Sequence, residues 1–286
     1  MIISKIKGGL GNQMFQYAIA KAIAKRRGDK FKLDISSFTN QKIRKYGLNQ
    51  FNIEENISSN NEVIKLAGKD NIFLKLRAKL GFQAIRPKTY FLEKETAYFH
   101  KEVFNYNNDI YLDGYWQNEK YFKDIRTEII RDFTLKKDTN NKLKKYLRDI
   151  KSNQSVSLHV RRGDYLENIQ INKVHGICKI DYYKKAIKRI KQHIESPIIY
   201  IFSDDIKWCK ENFDFLENKF FVDNLNNAFD ELELMKNCKH NIIANSTFSW
   251  WGAWLSKADS KIVIAPKVWW HNLPYKNIAS PGWLLL

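Results

Sequence analysis

The chain has 286 residues, 44% of them hydrophobic and 14% aromatic, enough for one large or two ordinary cores and too apolar for a disordered protein. Its 49 Lys and Arg against 31 Asp and Glu leave a formal net charge of +18; this fits an anionic partner such as nucleic acid, a membrane surface or a phosphorylated substrate, or, because the lysines are scattered, a solvated basic surface. The three cysteines, Cys178, Cys209 and Cys238, share no short spacing, which speaks against a zinc site, a redox pair or a secreted disulfide framework, and no apolar run approaches the about 20 residues that span a bilayer, so the expected compartment is the cytosol.

In chain order, residues 2–7 (IISKIK) read as a short strand and are followed by the glycine loop GGLGNQ. From Met14 the apolar residues recur with a helical period until Gly28-Asp29, and FKLDI (31–35) reads as a second strand. A strand, glycine loop, helix and strand in succession predict an α/β start. Residues 36–110 mix Asn- and Ser-rich turns with short amphipathic pieces such as 73–80 and carry no clear period. The segment 109–122 (DIYLDGYWQNEKYF) predicts a strand, a loop and a helix from about Glu119. A charged helix within 138–155 ends in a polar break, where the domain boundary is expected, giving domains 1–150 and 151–286.

The second half alternates strictly. SVSLHV is a strand, and DYYKKAIKRIKQH is a helix with Asp181 as its expected N-cap. PIIYIFSDD, KFFVD, NIIAN and KIVIAP are further strands, separated by helices around Trp208, across NNAFDELELMKNC and across TFSWWGAWLS. Such alternation predicts a parallel, doubly wound sheet, whose ligands bind at the carboxyl ends of its strands. HVRRGD, FSDD and ANSTFS all fall at such ends.

Each cluster has a functional and a structural reading. GGLGNQ lets backbone approach a ligand at a helix N-terminus, but it is neither GxGxxG nor a P-loop, and a tight turn explains it as well. NSTFS offers a nest of N–H groups for phosphate or, equally, ordinary N-capping by Ser246 or Thr247. In HVRRGD an arginine fork suits a phosphate; one arginine is expected to face ligand and the other a carboxylate such as Asp164, with His159 on the same side as Arg161. In FSDD one carboxylate is expected to cap the next helix and the other to accept from a ribose or guanine. Asp230 sits in the first turn of a helix, where acidic residues ordinarily oppose the dipole, and the tryptophans at 250, 251 and 254 read as core. No DxD occurs, so no diphosphate-clamping metal is expected.

Together, GGLGNQMFQYA, HVRRGDY, FSDDIKWCKENF and MKNCKHNIIANSTFSWWGAWL resemble the bacterial α-1,2-fucosyltransferases of glycosyltransferase family 11, over nearly the whole chain. The resemblance implies a GT-B architecture: two Rossmann-like α/β domains facing each other across a cleft, the first on the acceptor side and the second binding GDP-fucose. It implies inverting transfer of L-fucose from GDP-fucose to the 2-OH of a terminal galactose in a glycan such as an O-antigen, with no cofactor and no metal. It also implies that Arg161 holds the β-phosphate, that His159 and Asp230 contact the nucleoside, that Ser246, Thr247 and Phe248 bind phosphate, and that Asn12 reaches the donor. Asp164 is the nearest candidate for a general base, or else it orients an arginine. Two alternatives stay open: another sugar-nucleotide transferase on this architecture, and a basic nucleic-acid-binding protein. The latter would need a contiguous basic stripe that the scattered lysines do not form. The basic surface would also suit peripheral contact with anionic inner-membrane lipid.

Overall fold

Short apolar strands that alternate with helices bury their faces only by pairing side by side and being covered on both sides. The chain does this twice. In the computed structural model, residues 1–39, 44–69, 86–136, 141–223, 225, 227–271 and 277–286 are described. They divide into two units, Met1–Lys136 and Lys137–Leu286.

In the first unit β1 (Ile2–Lys5), β2 (Phe31–Asp34), β3 (Tyr90–Leu92) and β4 (Ile110–Asp113) form a parallel sheet in the order β2-β1-β4-β3. All four residues of β4 are buried, as befits an inner strand covered on both faces. Helix α1 (Leu10–Arg27) lies against the sheet, with almost every residue from Gly11 to Ala24 buried. Its alanines permit that close approach. Lys25, Arg26 and Arg27 face the negative end of the helix dipole, and Gly28, at φ 62°, closes the helix in the left-handed conformation.

This helix starts at Leu10, four residues before the expected Met14, so the second half of the glycine loop forms its first turn. Glutamine side chains outweigh the poor helix propensity of glycine there. Gln13 donates to the Gly8 and Lys45 carbonyls and accepts from the Gly47 N–H, while Gln16 accepts from the Lys7 N–H and donates to the Gly114 carbonyl.

Between residues 36 and 110, where no period was legible, α2 (Asn60–Ala67) opens with a capping box made by Ser59 and Glu62. The amphipathic piece expected at 73–80 lies outside the described residues. The helix expected from Glu119 begins as two 3-10 turns, Glu119–Tyr121 and Lys123–Ile125, before α3 (Arg126–Asp132). Phe122, at φ −139°, interrupts it.

The second unit contains α4 (Asn141–Ser152), β5 (Ser155–Val160), α5 (Gly163–Glu167), α6 (Ile169–His175), α7 (Ile180–Lys191) and β6 (Ile198–Ser203). It continues with α8 (Ile206–Asn212), β7 (Lys219–Phe221), α9 (Ala228–Asn237), β8 (His240–Ile242), α10 (Thr247–Leu255), β9 (Val263–Ala265) and β10 (Leu284–Leu285). The sheet is parallel throughout, in the order β10-β9-β8-β5-β6-β7. Its core joins Val156, Leu158, Val160, Tyr183, Ile201 and Phe213.

Helix α4, which a boundary at 150/151 would assign to the first domain, packs on α9 and belongs to the second unit. Lys179, not Asp181, occupies the N-cap of α7; Asp181 lies in the first turn, where its charge suits the helix dipole. No helix among the described residues is long and apolar enough to cross a membrane, and all three cysteines are free thiols.

Strand order fixes where a ligand can bind. From β5 the chain builds outward through β6 and β7, then returns to add β8, β9 and β10 on the other side. The reversal falls at β5, and the crevice outside the carboxyl ends of β5 and β8 is the topological switch point of the unit.

Candidate functional site

Three loops leave the sheet at that point. Val160 ends β5 and hands on to Arg161 and Arg162; Ser203 ends β6 and hands on to Asp204 and Asp205; β8 leads through Asn245 and Ser246 into α10. The first two loops are tied together. Asp204 Oδ2 pairs with Arg161 Nη1 at 3.0 Å, and Asp204 Oδ1 accepts from the Arg162 backbone N–H at 2.9 Å. A Cβ on Gly163 would come within 2.8 Å of Asp204 Oδ2, so any larger residue here would displace this carboxylate. Arg162 Nε donates to Asp205 Oδ2 at 3.1 Å, and its guanidinium lies 4.0 Å from the Trp208 ring. Asp205 also accepts from the Trp208 N–H and so caps α8, as expected of one of this pair.

The inward-facing arginine is therefore Arg162, and its partner is Asp205. The other aspartate holds Arg161 instead of standing free for a ribose or a base. Arg161 keeps partial exposure, with 23% of its side chain accessible. Asp164 begins in the first turn of α5, and its side chain lies outside the described atoms.

His159 is 3% exposed. Burial first, and then the nearby Arg161 charge, push its imidazole down to about 3, so it is neutral at physiological pH. Its ring lies 5.8 Å from Phe248, and its buried Nδ1 has no hydrogen-bond partner. A neutral imidazole with an open nitrogen is a hydrogen-bonding group, not a proton shuttle.

Ser246 occupies the N-cap of α10 but makes no side-chain capping bond, contrary to the capping reading of NSTFS. The helix therefore begins with its positive dipole end beside a small hydroxyl residue, with Thr247 and Phe248 in the first turn; such an end favours an anion. Asn245, also in this motif, is structural: its amide donates to the His175 and Gly176 carbonyls, and its backbone oxygen accepts from the Tyr165 hydroxyl. Trp250, Trp251 and Trp254 are buried in the core, as expected.

Helix α9 contributes two carboxyls. Asn227 caps it by accepting from the Asp230 N–H, and burial raises the Asp230 carboxyl. Its neighbour Glu231, not foreseen from the sequence, is pushed up to about 7, first by burial and then by the Asp204 carboxylate, against the opposing effect of Arg161. The two acids in the first turn of AFDELE were the only hint available. Asn12 belongs to the first unit, where its Oδ1 accepts from Gln117 Nε2 at 2.8 Å. Among the described residues, no cluster of three or more His, Cys, Asp or Glu is arranged to hold a metal.

The structure thus brings Arg161, Asp204 and Glu231 into one electrostatic cluster, and His159 beside Phe248 at the start of α10. A guanidinium and a helix N-terminus at the switch point can bind a phosphate or diphosphate.

The sequence model described as "Glycosyl transferase family 11" matches residues 1–285. The chain is 34% identical over 279 residues to an α-1,2-colitosyltransferase of Escherichia coli, spanning 95% of this chain and 93% of that one. It is 33% identical to the O-antigen biosynthesis glycosyltransferase WbnK of Escherichia coli, spanning 99% of each. Among solved structures, it resembles POFUT1 in complex with GDP-fucose (TM-score 0.50, 12% identity, 92% of this chain and 97% of that one). It also resembles Arabidopsis thaliana FUT1 in complex with GDP (TM-score 0.51, 10% identity, 92% and 69%). At such identities the likeness is one of fold, and it agrees with the expected GT-B class.

Proposed function

The chain belongs to glycosyltransferase family 11, and from that premise we propose that it transfers L-fucose from GDP-fucose to the 2-OH of a terminal galactose in a glycan, with inversion and without a metal. Membership displaces the nucleic-acid reading of the +18 charge. The observation that carries the reading is Arg161, set at the switch point by Asp204 in a sheet that also delivers the α10 N-terminus there.

As the bond between the anomeric carbon and the β-phosphate oxygen breaks, the diphosphate gains negative charge and the sugar becomes oxocarbenium-like. Donors already aimed at the departing oxygens lower that barrier. Arg161 takes the β-phosphate, and Ser246, Thr247 and Phe248 offer hydroxyl and backbone N–H groups to the same anion. His159, neutral, and Asp230 serve the nucleoside, and Asn12 is a further donor-binding residue. The acceptor hydroxyl attacks the opposite face of the sugar and gives up its proton. Asp204 and Asp205 are committed to arginines, so that proton falls to Asp164 or Glu231. Asp164→Asn and Glu231→Gln separate the two, because the variant of the true base loses the acidic limb of the pH–rate profile.

A second donor is favoured by the relative that shares 34% identity, a colitosyltransferase. Colitose is fucose without its 3-hydroxyl. Purified protein incubated with GDP-fucose or GDP-colitose and a panel of β-galactosides, with and without EDTA, tests both. A 2-linked product that forms equally well in EDTA is the expected result. Product only with divalent metal would overturn the metal-free mechanism, and stabilisation by UDP rather than GDP in a thermal shift would overturn the choice of nucleotide. Reaction in the cytoplasm beside anionic inner-membrane lipid completes the proposal; equal binding to neutral and anionic liposomes would remove the lipid contact.

A further inference from the structure

The segment Gly114-Tyr115-Trp116-Gln117 leaves the carboxyl end of β4, next to the end of β1 from which the glycine loop departs. It is an unusual piece of backbone. Trp116 is fully buried and has φ 57°, a left-handed conformation that a bulky aromatic rarely adopts. A half-buried carboxylate holds it: Glu93 accepts from the Tyr115 N–H at 2.6 Å and from the Trp116 N–H at 3.1 Å. Gly114 makes room, since a Cβ there would lie 2.4 Å from the Glu93 Cβ and 2.8 Å from its Oε2. Gln16 of α1 holds the Gly114 carbonyl from the other side.

Backbone held this firmly in an unfavourable conformation calls for a reason. The loop delivers Gln117. Gln117 is 6% exposed, its Nε2 donates to Asn12 Oδ1 at 2.8 Å, and its own Oε1 is buried without a partner. Occupying the Asn12 oxygen decides which edge of that amide remains for a ligand, namely the Nδ2 donor. Gly8, at φ 79°, gives that edge space, because a Cβ there would lie 2.9 Å from Asn12 Nδ2.

We propose that Gln117 is a positioning residue: held by the Glu93-clamped loop, it occupies the carbonyl oxygen of Asn12, so that Asn12 presents an N–H donor to an oxygen of the sugar nucleotide. The kinetic consequence rests on the transfer reaction proposed above; the orientation of Asn12 does not.

The test combines kinetics with a signal from the ligand-free protein. Gln117→Met keeps the bulk and removes the hydrogen bond, and it should lower kcat/KM by about 10- to 100-fold, the scale on which a small misplacement of a reacting group acts. In an Asn12→Ala background the same change should cost less than about twofold, since a residue that acts only through Asn12 has nothing left to position. Gln117→Glu can only accept, so it turns the Asn12 amide around and should be at least as damaging as Gln117→Met. Independent losses in the double variant, or wild-type kinetics in Gln117→Met, would overturn the proposal. In 15N-asparagine-labelled protein without ligand, the Asn12 side-chain amide resonances, assigned by their disappearance in Asn12→Asp, should move in Gln117→Met. Unmoved resonances would overturn the positioning role. Absence of turnover by the wild type would instead remove the proposed reaction and leave the resonance result to decide the orientation.

Discussion

Replacing Glu231 with glutamine should make the protein more stable at alkaline pH and leave it nearly unchanged at acid pH. Burial in the first turn of α9 is the largest influence on this carboxyl, and the Asp204 carboxylate adds to it. Although Arg161 opposes both, the group is pushed up from 4.5 to about 7. In the unfolded chain the group ionises near its ordinary value. Across the window from 4.5 to about 7 the native state therefore holds a proton that the unfolded state has released, and native stability falls as pH rises. That displacement corresponds to at most about 3 kcal/mol, and solvent around a partly exposed carboxyl trims it. Glutamine carries no such dependence. The stability difference between variant and wild type should grow from near zero at a pH of about 4.5 to roughly 1–3 kcal/mol at a pH of about 8.5. In calorimetric scans of a protein this large, each kcal/mol corresponds to roughly 2–4 °C of melting temperature. A difference independent of pH, or a variant that loses ground only on the alkaline side, would refute the account of this cluster.

Arg161→Ala should reduce kcat by about 10²–10³, the usual loss when one preorganised donor to a developing anion is removed; near-normal turnover would show that the diphosphate is held elsewhere. Gly163→Ala sets a Cβ 2.8 Å from Asp204 Oδ2, so it should push that carboxylate off Arg161, cost about 1–3 kcal/mol and weaken GDP binding by calorimetric titration. Unchanged GDP affinity would show that Asp204 does not set the arginine. In the first unit, Lys21 is buried against Asp132, which also accepts from the Tyr17 hydroxyl at 2.6 Å. Asp132→Ala leaves that ammonium with Glu54 alone, an exposed carboxylate 2.9 Å away, and should cost about 3–5 kcal/mol in urea denaturation; a loss under about 1 kcal/mol would mean that the Glu54 pair suffices to hold Lys21.

Much of this protein is written in local patterns. The alternation of short apolar runs with helical periods was enough to place β5, β6, β8 and β9 and the helices α7, α8, α9 and α10, but not the short α5 and α6, which occupy what reads as a loop after β5. The strand-end positions of HVRRGD, FSDD and NSTFS followed from that alternation, because side-chain period and turn chemistry act over a few residues. Other features depended on partners distant in the chain. The early start of α1 rests on glutamines that bond to residues 45, 47 and 114. The placement of α4 in the second unit rests on α9. Asp204 reaches the Arg162 N–H across 42 positions, and Gln117 reaches Asn12 across 105. Which carboxylate neutralises Arg161, and how far burial raises Glu231, are set by strand order and by what lies overhead. Local pattern sets which groups stand at the carboxyl ends of the strands. Which of them meet, and in what charge state, follows from the folded arrangement, because desolvation and Coulomb forces act through space and not along the chain.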